Sequence, residues 1–108
     1  MNLDEYQKKA QVFSVYDEQL AVVYPVTLLN EEAGEVAGKM AKAMRKGMDF
    51  NDPSFKQDIA KELGDVLWAL SAAALDLGLS LDDIARVNLT KLERRMARGV
   101  IVGEGDDR

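Results

Sequence analysis

Glu31, Glu32 and Glu35 fall within one short stretch of the chain, and Glu62 and Asp65 within another. Both stretches lie in sequence that reads as helix, where side chains three or four residues apart share a face. Each helix can therefore aim a small group of carboxylates at one spot. Carboxylates gathered that way repel unless something positive sits between them. The chain contains no His and no Cys, so the only strong donors are oxygens. Oxygen donors suit a hard cation such as Mg²⁺ or Mn²⁺. The same absences exclude disulfides, thiolate chemistry, zinc-thiolate sites and an imidazole general base.

Positive charge is concentrated elsewhere. Arg86, Lys91, Arg94, Arg95 and Arg98 follow closely on one another, with Glu93 the single acid among them. An acidic half and a basic half in one small chain could serve metal and phosphate respectively. The competing reading of the basic run is a solvated helix face. Lys91 and Arg95 are one turn apart, and Glu93 points to the other side, so no acid is expected between them. If they only solvate a surface, removing either would change stability little.

Composition bounds the rest. The 108 residues suit one domain, residues 1–108, with a modest core and a need for a partner chain to bury more. Hydrophobic residues at 47% and charged residues at 31% are ordinary for a folded soluble protein. A net charge of −5 argues against a nucleic-acid partner, which requires Lys and Arg in excess. No apolar run approaches the roughly 18 residues of a membrane span. The N-terminal residues lack a signal pattern, so a cytoplasmic protein with no membrane partner is expected.

Four amphipathic helices must position the acids, at about 3–18, Val26–Lys46, Pro53–Leu77 and Leu81–Arg98. Leu3, Tyr6, Ala10, Phe13 and Leu20 mark the inner side of the first, and Pro25 is expected to break the pattern before the second. The second carries a stripe of Leu29, Ala33, Val36, Ala37, Met40, Ala43 and Met44. Gly47 is expected to stop it. Asp52-Pro53 reads as an N-cap with proline in the first turn. The third helix has Phe55, Ile59, Leu63, Val66, Leu67, Leu70 and Ala74 as its stripe, and Gly78 ends it. Ser80 with Asp83 resembles a capping box for the fourth, which Gly99 ends. Residues 100–108 read as an irregular tail. Short connections between such helices predict an all-α, four-helix bundle-type fold. Ala69, Ala72, Ala73 and Ala74 would admit a close helix, either within the chain or across a dimer seam.

On a helical wheel Glu32 lies at the margin of the second helix's stripe, with Glu35, Lys39 and Glu31 further round. Glu62 falls inside the apolar arc of the third, between Ile59 and Val66. An unpaired buried carboxylate is costly, and Lys56 and Lys61 project elsewhere. A metal shared between the helices would satisfy Glu32, Glu35, Glu62 and Asp65 together, with no basic partner expected among them. Trp68 lies off the main stripe, near the carboxylate side.

These residues carry a resemblance. Glu31-Glu32-Ala33-Gly34-Glu35-Val36, then Glu62-Leu63-Gly64-Asp65-Val66-Leu67-Trp68, then Asn88-Leu89-Thr90-Lys91-Leu92-Glu93-Arg94-Arg95 resemble the MazG-like, all-α nucleoside triphosphate pyrophosphohydrolases. The acidic pattern is their EExxE…ExxD signature. The resemblance implies cleavage of a nucleoside triphosphate to monophosphate and pyrophosphate with Mg²⁺, in a homodimer or homotetramer. It implies Glu32, Glu35, Glu62 and Asp65 as metal ligands and Glu31 as a further ligand or the base that orients water. It implies Lys91 and Arg95 as phosphate holders, with Asn88 and Trp68 toward sugar or base. Gly103-Glu104-Gly105-Asp106-Asp107-Arg108 looks like a Gly-x-Gly-Asp-x-Arg ending without an assigned role. The alternatives are a narrow-substrate relative, of the dUTPase/dCTPase or phosphoribosyl-ATP type, and a non-catalytic dimerisation or nucleotide-sensing module. A di-iron bundle would want Glu-x-x-His pairs, which this chain lacks.

Overall fold

A computed structural model describes residues 1–108. It is all-helical, with four α-helices: α1 Leu3–Ala10, α2 Val23–Lys46, α3 Pro53–Asp76 and α4 Leu81–Arg98. Two single 3₁₀ turns, Gln11–Phe13 and Glu18–Leu20, connect α1 to α2. The first helix is thus half as long as its sequence pattern suggests. After Ala10 the chain tightens into 3₁₀ and then extends at Ser14. Phe13 and Leu20, expected inside, are 71% and 46% exposed.

The helix ends follow local chemistry. Asp52 accepts a hydrogen bond from the Phe55 N–H and Pro53 occupies the first turn of α3. Gly47 and Gly99 close α2 and α4 in the left-handed conformation, at φ 64° and 73°. Ser80 accepts from the Asp83 N–H at the start of α4. The Ser80 hydroxyl in turn donates to Asp4 of α1 at 2.7 Å. Pro25 does not break α2. It sits buried in the first turn, where its missing N–H has no partner to lose.

Val22 precedes α2 with φ 68° and ψ −56°, a conformation that L residues rarely adopt. Its N–H donates to Asp76 Oδ2 at 2.9 Å, and the Tyr16 hydroxyl donates to the same oxygen at 2.7 Å. One carboxylate at the end of α3 therefore pins both the loop and the entry to α2. The hydroxyl proton of Tyr16 is held more tightly than usual, first by burial and then by the Asp76 hydrogen bond.

α2 and α3 form an antiparallel hairpin and are the principal packed pair, while α1 lies against α3 and α4. The small residues Ala69, Ala72, Ala73 and Ala74 are buried within this chain, which answers the choice between intrachain contact and dimer seam. Gln7 of α1 reaches across, donating to the Leu79 carbonyl at 2.9 Å and accepting from the Leu81 N–H at 3.3 Å. α4 turns 102° away from α3. The four helices therefore do not close around a common centre. The radius of gyration is 16.7 Å, against about 13 Å for a compact chain of this length. Only 12 of the 108 residues are buried, and Met40, Met44 and Leu63, expected in the core, are 37%, 67% and 52% exposed. No single helix is long and apolar enough to cross a membrane.

Asp76 gives this arrangement a direct test. Asp76→Ala removes two hydrogen bonds to a carboxylate and leaves the Val22 turn without its anchor. Such bonds contribute roughly 1.5–3 kcal/mol each, so a loss of ~2–4 kcal/mol in denaturant unfolding is expected, allowing for partial resolvation. Tyr16→Phe should lose about half as much. A change below ~0.5 kcal/mol for Asp76→Ala would show that the turn is held by something else.

Candidate functional site

The α2–α3 seam brings the two acidic stretches together. Glu32 and Glu35 are three apart on α2, and Glu62 faces them from α3. Their carboxylate oxygens can all lie within 4.8 Å of one another. Register produces this: Asp52 and Pro53 start α3 after a short loop, so its third turn passes alongside Glu32 and Glu35 on α2. Glu62 is mostly enclosed, with its side chain 15% exposed, as expected of an acid in an apolar arc.

The cluster is electrostatically unsatisfied. One oxygen of Glu32 and one of Glu62 are buried with no hydrogen-bond partner. Burial pushes the Glu32 carboxyl above its ordinary value, helped by the charges of Asp65, Glu31 and Glu62. Contact between the Glu35 and Glu62 carboxyls pushes Glu35 up as well, with the charges of Glu32 and Glu62 adding to it. Orphaned buried oxygens and raised carboxyls are what a hard divalent cation would relieve, so the donor set fits one.

Two expectations change in detail. The acids do have a basic neighbour: the Lys39 ammonium lies 3.8 Å from Glu62. It stands one turn beyond Glu35 and reaches back over the seam, which the wheel position did not reveal. At that distance the pair is long, and Lys39 is 43% exposed, so it offsets only part of the charge. Asp65 is the second change. It is exposed at the edge of the cluster, close enough to raise Glu32 but outside the tight triad. Its charge also reaches Tyr6 of α1, whose hydroxyl is pushed up by burial and then by Asp65. Tyr6 was legible only as an apolar-face residue. Glu31 is exposed beside the triad. An open cavity of about 320 Å³ adjoins it, lined by Glu35, Gly38, Lys39, Lys42 and Glu62.

The basic residues form a separate centre on α4. Lys91 and Arg95 both hold Asp106 of the tail: the Lys91 ammonium is 2.9 Å and the Arg95 guanidinium 3.2 Å from Asp106 Oδ1. The expectation that no acid stands between them is therefore corrected. The acid comes from the folded-back tail, not from the helix. Hydrogen bonds from Lys91 and then Arg95 hold the Asp106 carboxyl below its ordinary value. Arg95 is also not a surface residue: its side chain is 7% exposed, and its Nε is buried without a partner. Arg95 therefore does more than solvate a surface, which was the condition for neutrality toward stability.

Asn88 lies one turn before Lys91 and lines a cavity of about 350 Å³ with it, alongside Leu79, Ile84 and Val87. Trp68 is elsewhere. Its indole N–H donates to the Ala10 carbonyl at 3.2 Å, and the ring packs under the N-terminal segment with Gln7, Ser14 and Tyr16. The polar end of this aromatic residue is committed to the fold.

Comparison with known proteins gives the family of the chain. The family model described as the MazG nucleotide pyrophosphohydrolase domain matches residues 25–99, which span α2 to the end of α4. The chain belongs to that family. It is 35% identical to the Gene 37 protein of Mycobacterium phage L5, with both chains covered in full. It is 34% identical to the uncharacterized protein YvdC of Bacillus subtilis (strain 168), over 65% of this chain and 71% of that one. No solved structure matches.

The raised carboxyls fix the sign of a pH effect. In metal-free protein, ionising Glu32 and Glu35 costs more in the folded chain than in the unfolded one. That cost is absent below the unfolded carboxylate range near 4.5 and complete above the raised folded values. The melting temperature in EDTA should therefore fall as pH rises through that window. Mg²⁺ should raise it, and more strongly at pH 7 than at pH 5, because protons compete for the same oxygens. Calorimetric scans across pH 4–8 with and without Mg²⁺ check both trends. A Mg²⁺ effect independent of pH would place the cation away from these acids.

Proposed function

We propose that the chain is a divalent-cation-dependent nucleoside triphosphate pyrophosphohydrolase, cleaving (d)NTP between the α- and β-phosphates to give (d)NMP and pyrophosphate. The carrying observation is the Glu32–Glu35–Glu62 triad, with two buried oxygens lacking partners. Family membership supports the reaction class.

Glu32, Glu35 and Glu62 would hold the cation, with Asp65 completing the set from the edge. A Mg²⁺ or Mn²⁺ ion there would neutralise phosphate charge and make a nearby water easier to deprotonate. Glu31, exposed beside the triad, orients that water and accepts its proton. Water attacks phosphorus, the bridging P–O bond breaks, and pyrophosphate leaves. No covalent intermediate is needed, which suits a chain without Cys or His. Lys39 and Lys42, in the cavity wall beside the triad, face the region where phosphate charge would gather. Lys91 and Arg95 hold phosphates from α4, with Asn88 beside them for sugar or base.

A second copy of the chain is part of this reading. α4 exposes Val87, Leu89, Leu92 and Met96 at 68%, 57%, 40% and 69%, and α2 exposes Met40 and Met44. So much apolar surface on an open fold calls for a homodimer or homotetramer, which would also bring a basic α4 toward another chain's acids.

Turnover is tested with a panel of ribo- and deoxyribonucleoside triphosphates, with pyrophosphate release as the readout. Activity should require Mg²⁺ or Mn²⁺ and vanish in EDTA. Glu62→Gln should keep its circular dichroism and lose roughly 10²- to 10³-fold in kcat, as when a group stabilising transition-state charge is removed. Wild-type turnover in Glu62→Gln contradicts the reading. Sedimentation velocity at micromolar concentration should show a dimer or larger, and a monomer would refute the assembly.

A further inference from the structure

The tail is built, not frayed. The Arg108 guanidinium donates to the carbonyls of Val100 at 3.0 Å and Ile101 at 2.9 Å, and also to that of Gly105. Arg98 donates back to the Arg108 carbonyl. Gly105 adopts φ 83°, which an L side chain would resist. A Cβ at Gly103 would meet the Arg108 stem at 3.0 Å. The Gly-x-Gly-Asp-x-Arg ending is thus a loop closed by its own arginine. Its product is the placement of Asp106 on Lys91 and Arg95.

That placement bears on the phosphate site. Arg95 spends one guanidinium nitrogen on the Asp106 carbonyl and carboxylate, and the tail covers its side chain to 7% exposure. A phosphate cannot reach Arg95 while the tail lies there. Lys91 remains partly open, at 35%, on the wall of a cavity of about 490 Å³. Arg86, Arg94, Arg98 and Arg108 line the same cavity and outnumber its two acids, Asp106 and Asp107. Its volume and charge suit a polyphosphate. Asp106 itself is 80% exposed, so its two ion pairs are screened and displaceable.

We propose that Asp106 is the resident anion of the Lys91–Arg95 pair, held by the Arg108-closed tail, and that a polyphosphate displaces it to reach Arg95. The inference rests on the reading of Lys91 and Arg95 as phosphate holders. A carboxylate and a phosphate oxygen ask the same of these cations, so they compete. With the closed tail dominant, apparent affinity is lowered by the fraction of open molecules. Asp106→Asn keeps the shape and weakens the hold, leaving more of the pair free.

The test is inorganic tripolyphosphate binding by calorimetry to the full chain in EDTA at low salt, which separates α4 from the metal site. Asp106→Asn should bind about three- to tenfold more tightly than wild type, reflecting a larger open fraction. Lys91→Ala should lose most of the binding in either background. Amide hydrogen exchange supplies a second readout: tripolyphosphate should speed exchange of residues 101–108 in the wild type. Unchanged or weaker binding in Asp106→Asn, or slower tail exchange, overturns the displacement while leaving a Lys91-dependent phosphate site in place. Binding indifferent to Lys91→Ala in both backgrounds overturns the phosphate site itself and the proposal with it.

Discussion

The repulsion among carboxylates across the α2–α3 seam is the constraint on which the rest depends. Glu32, Glu35 and Glu62 bring carboxylate oxygens within 4.8 Å of one another, and the Glu32 and Glu35 carboxyls are pushed up, Glu32 first by burial and Glu35 first by its contact with Glu62. Helices left to pack for stability alone would turn such side chains outward. Here the register forbids it. The Asp52 cap, Pro53 in the first turn and the Gly47 stop set where α3 begins relative to α2. The alanines of α3 and the Asp76 carboxylate then lock the far end of the hairpin. A rigid hairpin holds the acids together at a cost that a divalent cation can repay.

Most of the helical frame was legible because its signals are local. Asp52-Pro53, Ser80, Gly47 and Gly99 each act within one turn, and each sits where the sequence places it. The triad was legible for the same reason: residues three apart on α2 share a face, and Glu62 stood out as an acid in an apolar arc. What escaped was long-range. The loop between α1 and α2 is held by the Tyr16–Asp76 tie, between residues 60 apart in sequence. Lys39 reaches Glu62 through side-chain length, not wheel angle. Asp106 meets Lys91 and Arg95 because Arg108 folds the tail, and a wheel drawn for α4 alone contains no tail. Pro25 misled because a proline inside a first turn and one before a helix look alike in sequence.

The separation of charge within one chain has a structural reason. A cluster of acids and a run of five cations would neutralise each other if the helices packed side by side. The 102° turn between α3 and α4 prevents that. Gln7 bridges the turn by bonding the backbone at Leu79 and Leu81, and Asp4 braces the start of α4 through Ser80. The short first helix is thus a strut that holds the basic arm off the acidic hairpin. The exposed apolar face of α4 follows from the same geometry, since an arm held away cannot bury its stripe in its own chain.

Each half then needs a counter-charge while substrate and cation are away, and each has a weak one. Lys39 stands over Glu62 at 3.8 Å, too far for a good hydrogen bond and nearly half exposed. Asp106 makes shorter bonds to Lys91 and Arg95 but is itself mostly in water. A strong internal pair at either place would stabilise the empty protein and leave less to gain on binding. Weak substitutes keep the acids and the cations from spreading apart, and in the proposed function they would yield to a divalent ion on one side and a polyphosphate on the other. In that function the same ligand, a metal-chelated triphosphate, carries both charges. A fold that keeps its acidic and basic halves apart, each lightly covered, is matched to a ligand that is itself divided that way.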